Sequence, residues 1–67
     1  MITTEMVGKR LLLRNKNSGR EFEAVVLAVG GLRGENVRLY YCGSARHIWR
    51  WNEDIEVLKV FEEVAPI

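Results

Sequence analysis

The nine residues Glu21-Phe22-Glu23-Ala24-Val25-Val26-Leu27-Ala28-Val29 decide how the rest of the chain is read. A helix competes for them, because Glu and Ala are good helix formers. As a strand, they put Phe22, Ala24, Val26 and Ala28 on one face. Glu21, Glu23, Val25, Leu27 and Val29 take the other, which begins polar and ends apolar. The Val-Val pair, the flanking glycines and the short length favour the strand. A face that changes character midway suits a strand that bends, as barrel strands do.

Outward from this stretch, the pattern repeats in shorter pieces. Lys9 to Arg14 encloses Leu11-Leu12-Leu13, too brief for a helix, with Leu11 and Leu13 on one face. The break that follows, Asn15-Lys16-Asn17-Ser18-Gly19, is rich in residues that tolerate tight turns. Residues 1–7 read as a lead-in that Gly8 ends. Val37 to Cys42 is a further strand, with Val37, Leu39 and Tyr41 facing the core and Arg38 and Tyr40 facing out. Gly43-Ser44-Ala45 is a hairpin-length break.

The next segment, Arg46-His47-Ile48-Trp49-Arg50-Trp51, places His47, Trp49 and Trp51 on one face and Ile48 on the other. A polar corner, Asn52-Glu53-Asp54, leads into Ile55 and Leu58, an apolar pair three apart that suits a short helical turn before a last strand. Asp54 is placed to cap that turn. Apolar residues continue through Val60, Phe61 and Val64, and Pro66 argues against an interior strand at the end. The expectation is one all-β domain over 1–67. It is a five-stranded barrel with its core in 8–58 and a tail, 59–67, lying across the barrel mouth or on a second copy.

Composition narrows the function classes. A chain of 67 residues with 48% apolar content folds, yet a core this small usually needs reinforcement. Cys42 is the only cysteine and His47 the only histidine, so disulfides, metal centres and cofactors are not expected. Self-association is the reinforcement left. Cys42 itself reads as a small buried hydrophobe. The N-terminus shows no secretory pattern and no stretch approaches membrane-spanning length, which with a single thiol predicts a cytoplasmic protein. Charge is uneven. Residues 9–50 carry nine Lys and Arg against three Glu, net +6, while residues 51–67 carry one Lys against five acidic residues, net −4. A basic body suits an anionic partner, and an acidic end suits head-to-tail pairing.

Several of these pieces are those of a known group. The order Gly8, apolar strand, polar turn, Phe22-Glu23-Ala24-Val25-Val26, then Val37-Arg38-Leu39 running to Tyr41-Cys42-Gly43, then Asp54-Ile55 and Leu58, resembles the Tudor-like group of SH3-like barrels over residues 8–58. The resemblance implies that fold. It also implies an aromatic cage for methylated side chains, of which only Phe22 carries over. Leu39 and Cys42 stand where aromatics are expected, and Ser44 where Asn is common. The chain is also similar to the type II dihydrofolate reductases, short barrels assembled around a pore. Their Val-Gln-Ile-Tyr corresponds to Arg46-His47-Ile48-Trp49, where Ile48 alone matches.

Three functions follow as expectations. The first is a non-enzymatic protein-binding module acting as a homo-oligomer, with its interface at His47, Trp49, Trp51 and Phe61. The second is a nucleic-acid-binding barrel gripping a strand with Arg14, Lys16, Arg20, Arg38, Tyr40 and Arg50. The third is an oligomeric pore enzyme like the reductases. No nucleophile, base and orienting group stand together around His47, so no catalytic residue is named.

Overall fold

Glu21–Gly30 is a strand, and its pairing with the neighbouring strand shifts register between Val26 and Ala28. The computed structural model describes residues 1–61. Five strands run antiparallel: β1 (Arg10–Asn15), β2 (Glu21–Gly30), β3 (Asn36–Tyr41), β4 (Arg46–Trp51) and β5 (Ile55–Phe61). They form one sheet in the order β4-β3-β2-β1-β5, so β2 is the central strand and β4 and β5 are its edges. Short 3-10 turns occupy Thr4–Met6 and Asn52–Asp54. The all-β, five-stranded architecture with a helical turn before the last strand is thus what the chain adopts. No helix is long and apolar enough to cross a membrane.

The core lies on the concave side. Leu11 and Leu13 of β1, Ala24 and Val26 of β2, Val37 and Leu39 of β3 and Ile55 of β5 are fully buried, and Ile48 packs against them from β4. Strand alternation alone places most of these residues. Two irregularities correct the rest. Val26 pairs with Leu39 but Ala28 pairs with Arg38, so Leu27 is an extra residue. A bulge of one residue swaps the faces beyond it. Ala28, expected on the face of Ala24 and Val26, is therefore exposed, and Val29 turns in to the core. Likewise Leu12 faces Lys59 and Leu13 faces Val57, leaving Leu58 unpaired in β5. Leu58, expected beside Ile55, lies exposed, while Val57 and Val60 pack inward.

Both termini of the expected core move outward. Ile2, read as part of a lead-in, is 1% exposed and belongs to the core. The N–H of Gly8 donates to the carbonyl of Val26 at 2.7 Å, which ties this segment to β2. At the other end, Lys59 and Phe61 are not tail but the end of β5, paired with Leu12 and Arg10. The expected placement of Val64, Pro66 and the rest of the tail lies outside the described residues.

Asn52 holds the two ends of this arrangement together. It is the one buried polar side chain among the described residues. Its Oδ1 accepts from the N–H of Ile2 at 2.9 Å, and its Nδ2 donates to the carbonyls of Ile2 at 2.7 Å and Gly34 at 2.9 Å. A buried amide with every group partnered fixes geometry that apolar contacts leave loose. Asp54 does not cap the turn with its carboxylate, since that turn has no side-chain cap. Its carbonyl instead accepts from the N–H of Lys16 at 2.8 Å, tying the first hairpin to the corner before β5.

The connection between β2 and β3 is built on Glu35. Its two carboxylate oxygens accept from the N–H groups of Leu32 at 3.0 Å and Arg33 at 2.9 Å. These bonds hold the carboxyl below its ordinary range, the N–H of Arg33 contributing most. A depressed pKa means that the stabilisation is complete above the ordinary carboxylate value, about 4.3, and is lost as pH falls through the lower folded-state value. Glu35→Gln should therefore melt below the parent protein at neutral pH, with the gap closing as the buffer is acidified.

Gly31 sits in the same loop at φ +86°. An L side chain there costs about 1–2 kcal/mol, and a Cβ would meet the Glu35 carboxylate besides. Gly31→Ala is expected to lower the melting temperature by roughly 4–8 °C for each kcal/mol lost. The β3–β4 turn uses a less usual residue. Its left-handed position is Ala45, at φ 54°, and not the neighbouring Gly43.

Candidate functional site: the β4 strand and the groove beside it

Strand β4 is where side chains with chemistry collect. Ile48 turns inward, so alternation sends His47, Trp49 and Trp51 to the outer face. Trp49 is 45% exposed and Trp51 46%, and their rings meet edge to face at 4.7 Å. The neighbouring strand extends this surface. Arg38 lies opposite Trp49, Tyr40 opposite His47 and Asn36 opposite Trp51. The Tyr40 and His47 rings make a second edge-to-face contact at 5.8 Å. Three expected interface residues thus stand together in one exposed aromatic face on an edge strand.

Phe61 does not join them. It ends β5, on the opposite edge of the sheet, under the guanidinium of Arg10 at 4.6 Å and the ammonium of Lys59 at 5.1 Å. Its exposure to a partner is limited by these cations, which cover the ring.

The six residues expected to grip nucleic acid do not converge. Arg14 Nε and Nη2 both donate to Oε1 of Glu56, the first at 3.1 Å, and this bond keeps the guanidinium firmly charged. Lys16 is exposed in the first turn, on the corner that Asp54 holds. Arg38 and Tyr40 lie on the outer face with the indoles. Only Arg20 and Arg50 share a site, and they share it with residues of the opposite face.

That site is an open groove of about 930 Å³ between the first hairpin turn and β4. Asn15, Ser18 and Arg20 form one wall, and Ser44 and the β4 residues Arg46 to Arg50, His47 and Trp49 included, form the other, with Phe22 and Tyr41 between them. Phe22 and Tyr41 meet edge to face at 5.8 Å. Tyr41, placed on the core side with Val37 and Leu39, is half-buried at the rim of the core rather than sealed in it. Three arginines line this groove and no carboxylate does.

The cage implied by the family resemblance is altered here. Phe22 has an aromatic neighbour, but it is Tyr41. Leu39 is fully buried and cannot line a site. Cys42 is exposed rather than buried, because β3 ends at Tyr41 and the chain has entered the turn. Arg20, Arg46 and Arg50 around the rings would repel a methylated cation. No match was found among family models, curated proteins or solved structures. Among the described residues, no three His, Cys, Asp or Glu side chains gather in a way that could hold a metal ion.

Proposed function

We propose that this protein is a non-enzymatic binding module of the cytoplasm that acts as a homo-oligomer, built on SH3-like lines, with a second copy seated along β4. The carrying observation is the pair of half-exposed indoles, meeting edge to face, on an edge strand. An edge offers unpaired backbone groups, and natural edges are usually blunted by charge, proline or bulges. The β5 edge has a bulge at Leu58 and a charge at Lys59. The β4 edge carries Arg46 and Arg50 but neither proline nor bulge, and its pairing with β3 is regular from Arg46 to Trp51.

Charge and aromatic matching together select the register. A two-fold axis normal to the sheet keeps outer faces together, so paired residue numbers must sum to an even value. Centring the pair on Ile48 sets Arg46 against the other copy's Arg50. Centring it on Arg50 sets arginine against itself. Centring it on Trp49 sets Ile48 against Arg50, His47 against Trp51 and Trp49 against Trp49. That arrangement opposes no like charges and builds a continuous aromatic ladder. The test is sedimentation of the full chain at micromolar concentration, joined to tryptophan emission across a dilution series. The expected result is a dimer whose emission shifts to longer wavelength as dilution frees the indoles. A monomer at every concentration defeats the proposal.

A further inference from the structure

We infer that the groove walled by Arg20, Arg46 and Arg50 is a binding site for single-stranded nucleic acid, bordering the self-association strand. The strand's phosphates sit on the guanidinium groups, and its bases stack against Phe22 and Tyr41.

The first argument is charge. The groove carries three arginines and no acidic residue, in a protein whose net charge is only +1. Arg20 and Arg46 make no ion pair among the described residues. Arg50 donates through Nη1 to the carbonyl of Trp49 at 2.7 Å, which leaves its charge unneutralised. The two arginines of β1 are matched instead, Arg14 with Glu56 and Arg10 with Glu23 at 3.9 Å. Unmatched arginines gathered in one concavity define an anion site.

The second argument is the spacing of those charges. Arg46 and Arg50 lie four residues apart on one strand, about 13 Å, and Arg20 stands on the facing wall. A row of guanidinium groups suits a string of phosphates, each of which can take a forked pair of N–H donors.

The third argument is the pair of rings. An acidic peptide would satisfy the charges and leave Phe22 and Tyr41 without use. A single strand uses both, because its unpaired bases offer flat faces for stacking. A duplex keeps those faces hidden. The walls belong to one copy, and Arg46 and Arg50 point to the face opposite the indoles, but His47 and Trp49 also line the groove, so it borders the self-association strand.

The experiment is fluorescence anisotropy with a labelled oligothymidylate of about 15 nucleotides, within the range such small barrels cover, and full-length protein. Three phosphate contacts predict a log–log salt slope near −2, or about a 20-fold loss of affinity between 50 and 200 mM salt. Arg46→Glu should weaken binding at least tenfold. Arg33→Glu makes the same change in net charge outside the groove and should stay within about twofold. Both positions are exposed, and unchanged circular dichroism would show that each variant folds. Tyr41→Leu should cost affinity while leaving the salt slope unchanged, since stacking releases no counterions. A flat titration at low salt, equal losses at Arg46 and Arg33, or polyglutamate binding as tightly as the oligonucleotide would each overturn the assignment.

Discussion

Asn52→Ala should cost about 3 to 5 kcal/mol of folding stability, measured by urea denaturation, and leave a chain that is barely folded at 37 °C. The reason is what remains behind. Alanine removes one amide but strands three backbone groups: the N–H and carbonyl of Ile2 and the carbonyl of Gly34. Each buried orphan costs about 1–3 kcal/mol. Water admitted to the vacated space offsets part of that sum. A domain of this length has only about 3–10 kcal/mol in total, so the loss is a large share. Asn52→Leu is no rescue, because the backbone partners stay in place. Asn52→Asp keeps the acceptor for Ile2 but points a carboxylate at two carbonyls, and should be at least as harmful at neutral pH. A loss under about 1 kcal/mol would show that the N-terminal segment docks by Ile2 burial alone.

That asparagine marks where sequence reasoning stopped. Alternation found β1 to β5 because each strand buries one face, and burial writes a period of two into the residues. For the same reason it put Leu11 with Leu13 and Ala24 with Val26 on shared faces, and Val37 and Leu39 toward the core, and these faces are the buried ones. It failed at Ala28 and Leu58 because a bulge shifts the period by one without leaving a mark in composition. It missed Ile2 because one apolar residue in a polar segment carries no period at all. Asn52 was read as part of a polar corner, since a corner and a buried clamp use the same residue. The outer aromatic face was legible, as His47, Trp49 and Trp51 stand on one strand. The groove was legible only in pieces. Its walls come from the 15–20 turn, which leads into β2, and from β4, with β3 between them in the sheet, and the curl of the sheet brings Arg20 across from Arg46 and Arg50. Listing basic residues by charge alone therefore mixed Arg14, already paired, with Arg20, which is not.

Trp49→Arg should convert the protein to a monomer while leaving its fold intact. In the register centred on Trp49 the substitution acts twice, because the residue faces its own copy across the axis. Loss of a central interface aromatic costs about 2 kcal/mol or more. Two such losses raise the dissociation constant by roughly a thousandfold, before the repulsion between the two new charges is counted. The side chain is nearly half exposed on an edge strand, so the isolated copy loses little. Leu32→Arg is the matched control. Leu32 is fully exposed in the β2–β3 loop, so it tests whether any surface apolar residue drives association. It should leave the dimer unchanged. Sedimentation reads both outcomes. If Trp49→Arg and Leu32→Arg weaken association alike, the contact is general stickiness. If Trp49→Arg stays dimeric, the partner sits elsewhere than on β4.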